Sequence, residues 1–268
     1  MPLLRTTAVA VGLSLAICSR SRAQIDYRNL DHGRPVATED AYPVERHGFE
    51  LLVPLRSERD ASGDRLHEVP LAIEYGILDN AQIGIGLPLA VDDPNGSDSE
   101  SGLAGLSVGG LYNFNTEGPT LPALSLVADF ALPVGSLAGD DARFNLKAIA
   151  TRSWGLTRAH LNAAWSFGSE ERLGVEPVPR WSYGLALDRT FFRSSLLLVG
   201  ELLVRRVVED APTEVNAAVG LRYQLGPTLV LDAGFGRGLR SDAGPDYDLA
   251  IGLSHAYALS WLMPGRAR

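Results

Sequence analysis

From Phe49 onward, apolar residues take every second place along the chain, and Gly, Ala, Ser or charged residues fill the places between. Ile83, Ile85, Leu87 and Leu89 fall on one face of such a segment, with Gln82, Gly84, Gly86 and Pro88 on the other. The same division separates Leu161, Ala163, Trp165 and Phe167 from His160, Asn162, Ala164 and Ser166, and Val215, Ala217, Val219, Leu221 and Tyr223 from Glu214, Asn216, Ala218, Gly220, Arg222 and Gln224. Period two is the signature of strands with two unlike faces, and no segment prefers the helical period of 3.6. The pattern predicts about twelve strands, within a range of 10–14. They fall at 48–57, 67–78, 80–90, 103–114, 122–132, 142–153, 156–168, 181–190, 195–208, 213–225, 227–237 and 246–257.

Each segment has about ten residues or more, longer than strands of soluble sandwiches and matched to a tilted crossing of a bilayer. The breaks mostly alternate in length, with medium ones at Asn115–Leu121 and Glu209–Pro212. Ser57–Leu66, Asp92–Gly102, Pro133–Asp141, Ser169–Arg180 and Gly238–Pro245 are long and acidic or rich in Gly and Ser, whereas Leu78–Asn80, Trp154–Gly155 and Gly226–Pro227 are tight. The expected fold is therefore all-β: a single antiparallel transmembrane β-barrel in the bacterial outer membrane, with both termini periplasmic. Its 48–257 barrel follows a 1–23 signal peptide and a 24–47 periplasmic N-terminal segment, and a 258–268 extension closes the chain. The signal assignment rests on Arg5, the apolar run Ala8–Cys18 and the small residues Ser21 and Ala23 flanking Arg22. Aromatic residues near the strand ends, among them Tyr75, Tyr112, Phe114, Trp154, Phe167, Trp181, Phe191, Tyr223 and Tyr257, suit two interfacial girdles.

With the apolar face turned to lipid, the other face lines the interior. It gathers Glu50, Arg56, Glu74, Asp129, Arg143, Lys147, Arg158, Glu201, Arg205, Arg222 and Asp232 as candidate lumen residues, together with Glu68, His160, Asp188, Glu214 and Asp248. Both signs are present, and charges cannot be buried singly, so the interior is either watery or cross-linked by ion pairs.

The 268 residues are 46% hydrophobic and 21% charged, which excludes a disordered chain. A formal charge of −8, becoming −11 once Arg5, Arg20 and Arg22 leave with the signal, argues against nucleic acid as a partner. The single Cys18 lies in the segment to be removed, so neither a disulfide framework nor a thiolate site is expected. Gly105-Leu106-Ser107-Val108-Gly109 matches a nucleophile pattern but runs on as strand, without the elbow that chemistry requires, and nothing in the spacing brings His160 to Ser107. The histidines are dispersed, and no metal, cofactor or catalytic residues are expected.

The stretch Arg34-Pro35-Val36-Ala37-Thr38-Glu39-Asp40-Ala41-Tyr42-Pro43-Val44-Glu45, followed by Gly48-Phe49-Glu50-Leu51, resembles the start of the MetA-pathway-of-phenol-degradation family, a group of bacterial outer-membrane barrels proposed to be transporters. Glu74–Leu89, Leu132-Pro133-Val134-Gly135, Tyr223–Pro227 and Leu231–Gly234 extend the resemblance over most of the mature chain. The family implies passage of small, often aromatic or hydrophobic, compounds, and contributes no site residues. Such barrels end on an aromatic, which would be Tyr257, yet Ala258–Arg268 with Trp261 follows. The leading expectation is a passive channel whose partners are outer-membrane lipid, the barrel-assembly machinery and a small solute. The alternative is a plugged structural or adhesion barrel acting through its outer loops, and a barrel lipid hydrolase stands third.

Overall fold

The computed structural model describes residues 24–31, 33–168, 181–191, 195–206, 212–240, 244–259 and 261–262. The signal assignment, Cys18 and most of the C-terminal extension lie outside them. Thirteen strand segments follow in chain order: β1 Gly48–Arg59, β2 Arg65–Leu78, β3 Ala81–Asp93, β4 Glu100–Leu103, β5 Leu106–Asn115, β6 Ala123–Leu132, β7 Arg143–Trp154, β8 Thr157–Phe167, β9 Trp181–Phe191, β10 Leu196–Arg206, β11 Glu214–Gly226, β12 Leu229–Gly238 and β13 Tyr247–Ala258. Every neighbouring pair is antiparallel, β2 pairs with both β1 and β3, and β1 also pairs with β13, so the sheet closes on itself; among the described residues only the short β4 has a single strand partner.

β4 and β5 are two halves of one stave, for both pair with β3. Leu103 and Leu106 both point outward although three residues apart, because Ala104 and Gly105 bulge between them and the Ala104 amide donates to the Pro88 carbonyl at 2.8 Å. The barrel thus has twelve staves.

The alternation expected from the sequence is realised as exposure. Leu55, Ile83, Ile85, Leu87, Leu161, Leu187, Ile251 and their like stand exposed around the outside, a distribution that only a lipid solvent makes favourable. Aromatic side chains crowd both ends of this apolar band. At the short-turn end the Phe49 ring lies 4.6 Å from Tyr75 and 5.2 Å from Tyr257; at the long-loop end Phe144 lies 4.7 Å from Phe130 and 6.0 Å from Phe167.

The described residues of 24–47, the stretch expected as a periplasmic N-terminal segment, run along the inside of the barrel. The chain enters at the short-turn end, where the Ile25 amide donates to the Pro227 carbonyl at 3.0 Å, and returns to that end, where the His47 amide donates to the Gly76 carbonyl at 2.8 Å. Between these points it forms an inner loop burying Ile25, Tyr27, Leu30, Val36 and Ala41 against Ala186, Leu197, Val199 and Val230 on one side and Leu111, Val127 and Ile149 on the other. The physical reason is charge as much as apolar area: the inward faces of the strands carry ionised groups that water alone would otherwise have to solvate, and the loop supplies their partners.

Candidate functional site: the lumen

The interior divides into a half filled by the inner loop and a half left open. In the filled half the loop is held by side chains from nearly every stave. Arg34 donates through Nη1 to Asp232 at 2.8 Å and through Nη2 to Ser254 at 2.8 Å, with both charged groups shut off from solvent. Arg158 joins Asp40 of the loop, at 3.0 Å, to Asp188 of the neighbouring stave, at 2.6 Å. Glu201 accepts from the amides of Ala37 and Thr38, at 3.0 and 2.5 Å, and from the Thr38 hydroxyl. Lys147 reaches Glu39 at 2.5 Å, Asn162 exchanges hydrogen bonds with the Glu39 backbone, and Arg222 lies 3.5 Å from Asp31.

Three inward glycines give the apex of the loop its seat. A Cβ at Gly234 would stand 1.9 Å from the Pro35 carbonyl oxygen, at Gly220 2.7 Å from the Pro35 ring, and at Gly184 2.4 Å from the Thr38 hydroxyl. The absence of side chains there makes a flat bed wide enough for a backbone.

The open half forms a cavity of about 390 Å³ toward the long-loop end, with Arg56, Glu68, Asp129, Arg143, Asn145 and Arg205 among its lining. A cleft of about 80 Å³ continues it toward the short-turn end, between the loop and the wall of β3, β5 and β6. Glu39, Gly86, Ser107, Asp129 and Lys147 line both, so the two spaces are contiguous. The wall beside the cleft is cut back by Gly84, Gly86 and Gly109, and its charged lining is mostly acidic: Asp31, Glu39, Asp40, Glu74 and Asp129 against Lys147.

The residues singled out in the sequence therefore fall into three positions. Arg158, Glu201, Arg222, Asp232 and Lys147 hold the inner loop. Arg56 also does so, donating to the Gly33 carbonyl at 2.9 Å from the cavity wall. Asp129 and Arg143 line the open space, and Arg205 does so while paired with Glu214 on the next stave. Glu50 and Glu74 face each other across β1 and β2, both buried. Asp31, Arg34, Glu39 and Asp40 were missed as interior groups because their segment has no periodicity; the signal available was their mixed sign beside a predicted interior short of partners.

His160 is bonded to Thr151 at 3.0 Å and to Asp188 at 2.9 Å, and is fully buried, while the Ala41 amide donates to Thr151 at 3.0 Å. Both of its ring nitrogens are thus engaged in seating the loop, and Ser107 lies in the open cavity. Among the described residues no cluster of His, Cys, Asp and Glu is arranged to hold a metal ion.

A closed antiparallel barrel with a lipid-facing apolar band, paired aromatic girdles and a polar interior is the architecture of bacterial outer-membrane channels and porins. Residues 33–254 match the family described as "Putative MetA-pathway of phenol degradation", and the chain belongs to it. The fold is similar to the COG4313 outer membrane channel from Pseudomonas putida F1, at a TM-score of 0.60 and 15% identity over 81% of this chain and 98% of that one. It is similar also to the KdgM porin solved in complex with disordered oligogalacturonate, with a TM-score of 0.53 and 10% identity over 78% and 98% of the two chains. The NanC porin follows at 0.50 and 10%, over 77% and 98%. Among curated proteins none matches. The protein is a bacterial outer-membrane β-barrel.

Proposed function

We propose that the protein is a passive, non-enzymatic channel for small compounds, oriented with its long loops outside the cell and both termini in the periplasm. The observation that carries this reading is the pair of contiguous spaces, one broad and one narrow, that leads from the long-loop end along the inner loop. Solute enters the 390 Å³ cavity and then slips past the glycine-lined wall. Because carboxylates outnumber cations along the cleft, neutral aromatic solutes such as phenols pass more readily than carboxylate anions of the same size. The site residues then have two roles: Asp129, Arg143 and Lys147 meet the solute, and the groups bonded to the inner loop set how narrow the passage is. The protein's partners are outer-membrane lipid and the machinery that inserts it there.

A second reading, a plugged barrel acting through its loops, draws on the buried ion pairs Arg34–Asp232 and Arg158–Asp40 that fix the inner loop. Solute flux into liposomes separates the two. The channel reading expects phenol to equilibrate faster through protein-containing liposomes than through empty ones, and faster than benzoate at neutral pH. Identical rates with and without protein, together with silent planar bilayers, overturn it in favour of the plugged barrel.

A further inference from the structure

At the long-loop rim of the wall, the outward face changes from apolar to basic over two steps of the register. Leu55 and Ile251, opposite one another on β1 and β13, are 50% and 51% exposed and belong to the apolar band. One row higher stand Ser57, His67, Leu249 and Phe235. The last row sets Arg65 against Arg59, Arg59 against Tyr247, and Tyr247 against Arg237, on four successive staves. Side chains two residues apart share a face, so all four point outward with the apolar residues below them. Strands lie ~4.8 Å apart, and the row is thus roughly 14 Å wide.

Above this row two loops enclose a notch of about 340 Å³. Arg59 and Arg65 form its cationic side, Ser62, Gly63, Asn95 and Ser97 contribute polar groups, and Asp93 is the one acid among its lining residues. Asp93 faces Arg65 across the register. Asp60 and Asp246 lie near Arg59, but Asp60 Oδ1 is taken by the amides of Gly63 and Asp64 within its own turn. Tyr247 stands directly across the register from Arg59. Among the described residues no ion pair within 4.0 Å engages Arg59, Arg65 or Arg237.

We infer that this notch binds a phosphate of the phosphorylated glucosamine head group of outer-leaflet lipopolysaccharide, with Arg59 and Arg65 on the phosphate and Arg237 and Tyr247 beside the sugar. The depth is what selects this partner. The arginines stand where acyl chains give way to head groups, and guanidinium is the side chain best suited to a phosphate in two-point contact. A notch whose lining is polar has no use for an acyl chain, which the band beneath it already accommodates. The inference rests on the orientation given under the proposed function, because only an outward rim meets lipopolysaccharide.

The test is native mass spectrometry of the protein purified from outer membranes, titrated with bisphosphorylated lipid A, with the same lipid A stripped of phosphate, and with inorganic phosphate. The proposal expects the bisphosphorylated lipid to bind. It also expects the R59S/R65S double variant to bind that lipid at least about tenfold more weakly, since both charged donors to the phosphate are gone. Equal binding of the dephosphorylated lipid overturns it, as does an unchanged double variant that keeps the heat-dependent electrophoretic shift of a folded barrel. Should that variant fail to fold, the wild-type comparison of the two lipids decides alone. Inorganic phosphate displacing the lipid at equal concentration overturns the lipid assignment in favour of a free-anion site. Orientation is read separately, by an impermeant maleimide on Ser99→Cys in intact cells: labelling supports the outward rim, and labelling only after permeabilisation overturns the orientation and the lipopolysaccharide assignment with it.

Discussion

Arg34 and Asp232 meet at 2.8 Å with no solvent on either group, and the energetics of that contact are one-sided. A buried pair contributes little beyond a well-packed apolar substitute, but removal of one partner strands the other and costs ~3–5 kcal/mol. Arg34→Ala is therefore expected to unseat the inner loop rather than unfold the wall, since Asp232 regains water once the loop withdraws. Limited proteolysis should cut the variant within residues 24–47 while the barrel keeps its heat-dependent electrophoretic shift. Arg34→Lys, which keeps the charge but not both hydrogen bonds, should fall between the two.

A second residue-scale expectation concerns Asp64 in the first long loop. The Asn95 amide, at 2.6 Å, and then the Ser62 hydroxyl, at 2.7 Å, hold its carboxyl below the usual carboxylate range. A depressed folded value means that the tie between the loops is present above the ordinary pKa and is lost as pH falls through the depressed one. A nitroxide at Ser99→Cys should gain mobility only in strong acid, and in an Asp64→Asn background should be mobile at every pH. At this scale the inward direction of Arg158, Glu201 or Asp232 was legible from parity alone. Their partners were not, since those lie on a segment whose position no periodicity records.

Among elements, the strands were the most legible part of the molecule because lipid outside and polar groups inside force strict alternation, as β3 and β8 show. The departures have local causes. The segment expected as one strand over 103–114 is broken at Ala104 and Gly105, where Gly105 adopts a φ of 144°, and the sequence carried a trace of this in two outward leucines spaced by three. The inner loop was illegible as an element because it belongs to no sheet and takes its shape from the bed beneath it. That dependence makes Gly234 its most sensitive point. Gly234→Val places a branched side chain where Pro35 now lies, and backbone cannot yield as a side-chain tip can. The expected result is larger single-channel conductance with an unaltered thermal transition of the wall; a lowered transition with unchanged conductance would mean that the strand, not the loop, gives way.

For the molecule as a whole, twelve staves enclose more room than side chains alone can fill, and the inner loop decides how much of it solute may use. Excision of residues 28–43 is expected to raise conductance several-fold in planar bilayers and to abolish the proposed preference for phenol over benzoate, because Asp31, Glu39 and Asp40 leave with the loop. The loop's partners have a further consequence, for the order of assembly. They extend from Arg56 on β1 to Ser254 on β13, so the seat is complete only after the last stave has joined the first. The part of the domain that leaves the ribosome earliest is thus expected to be the last to complete its contacts.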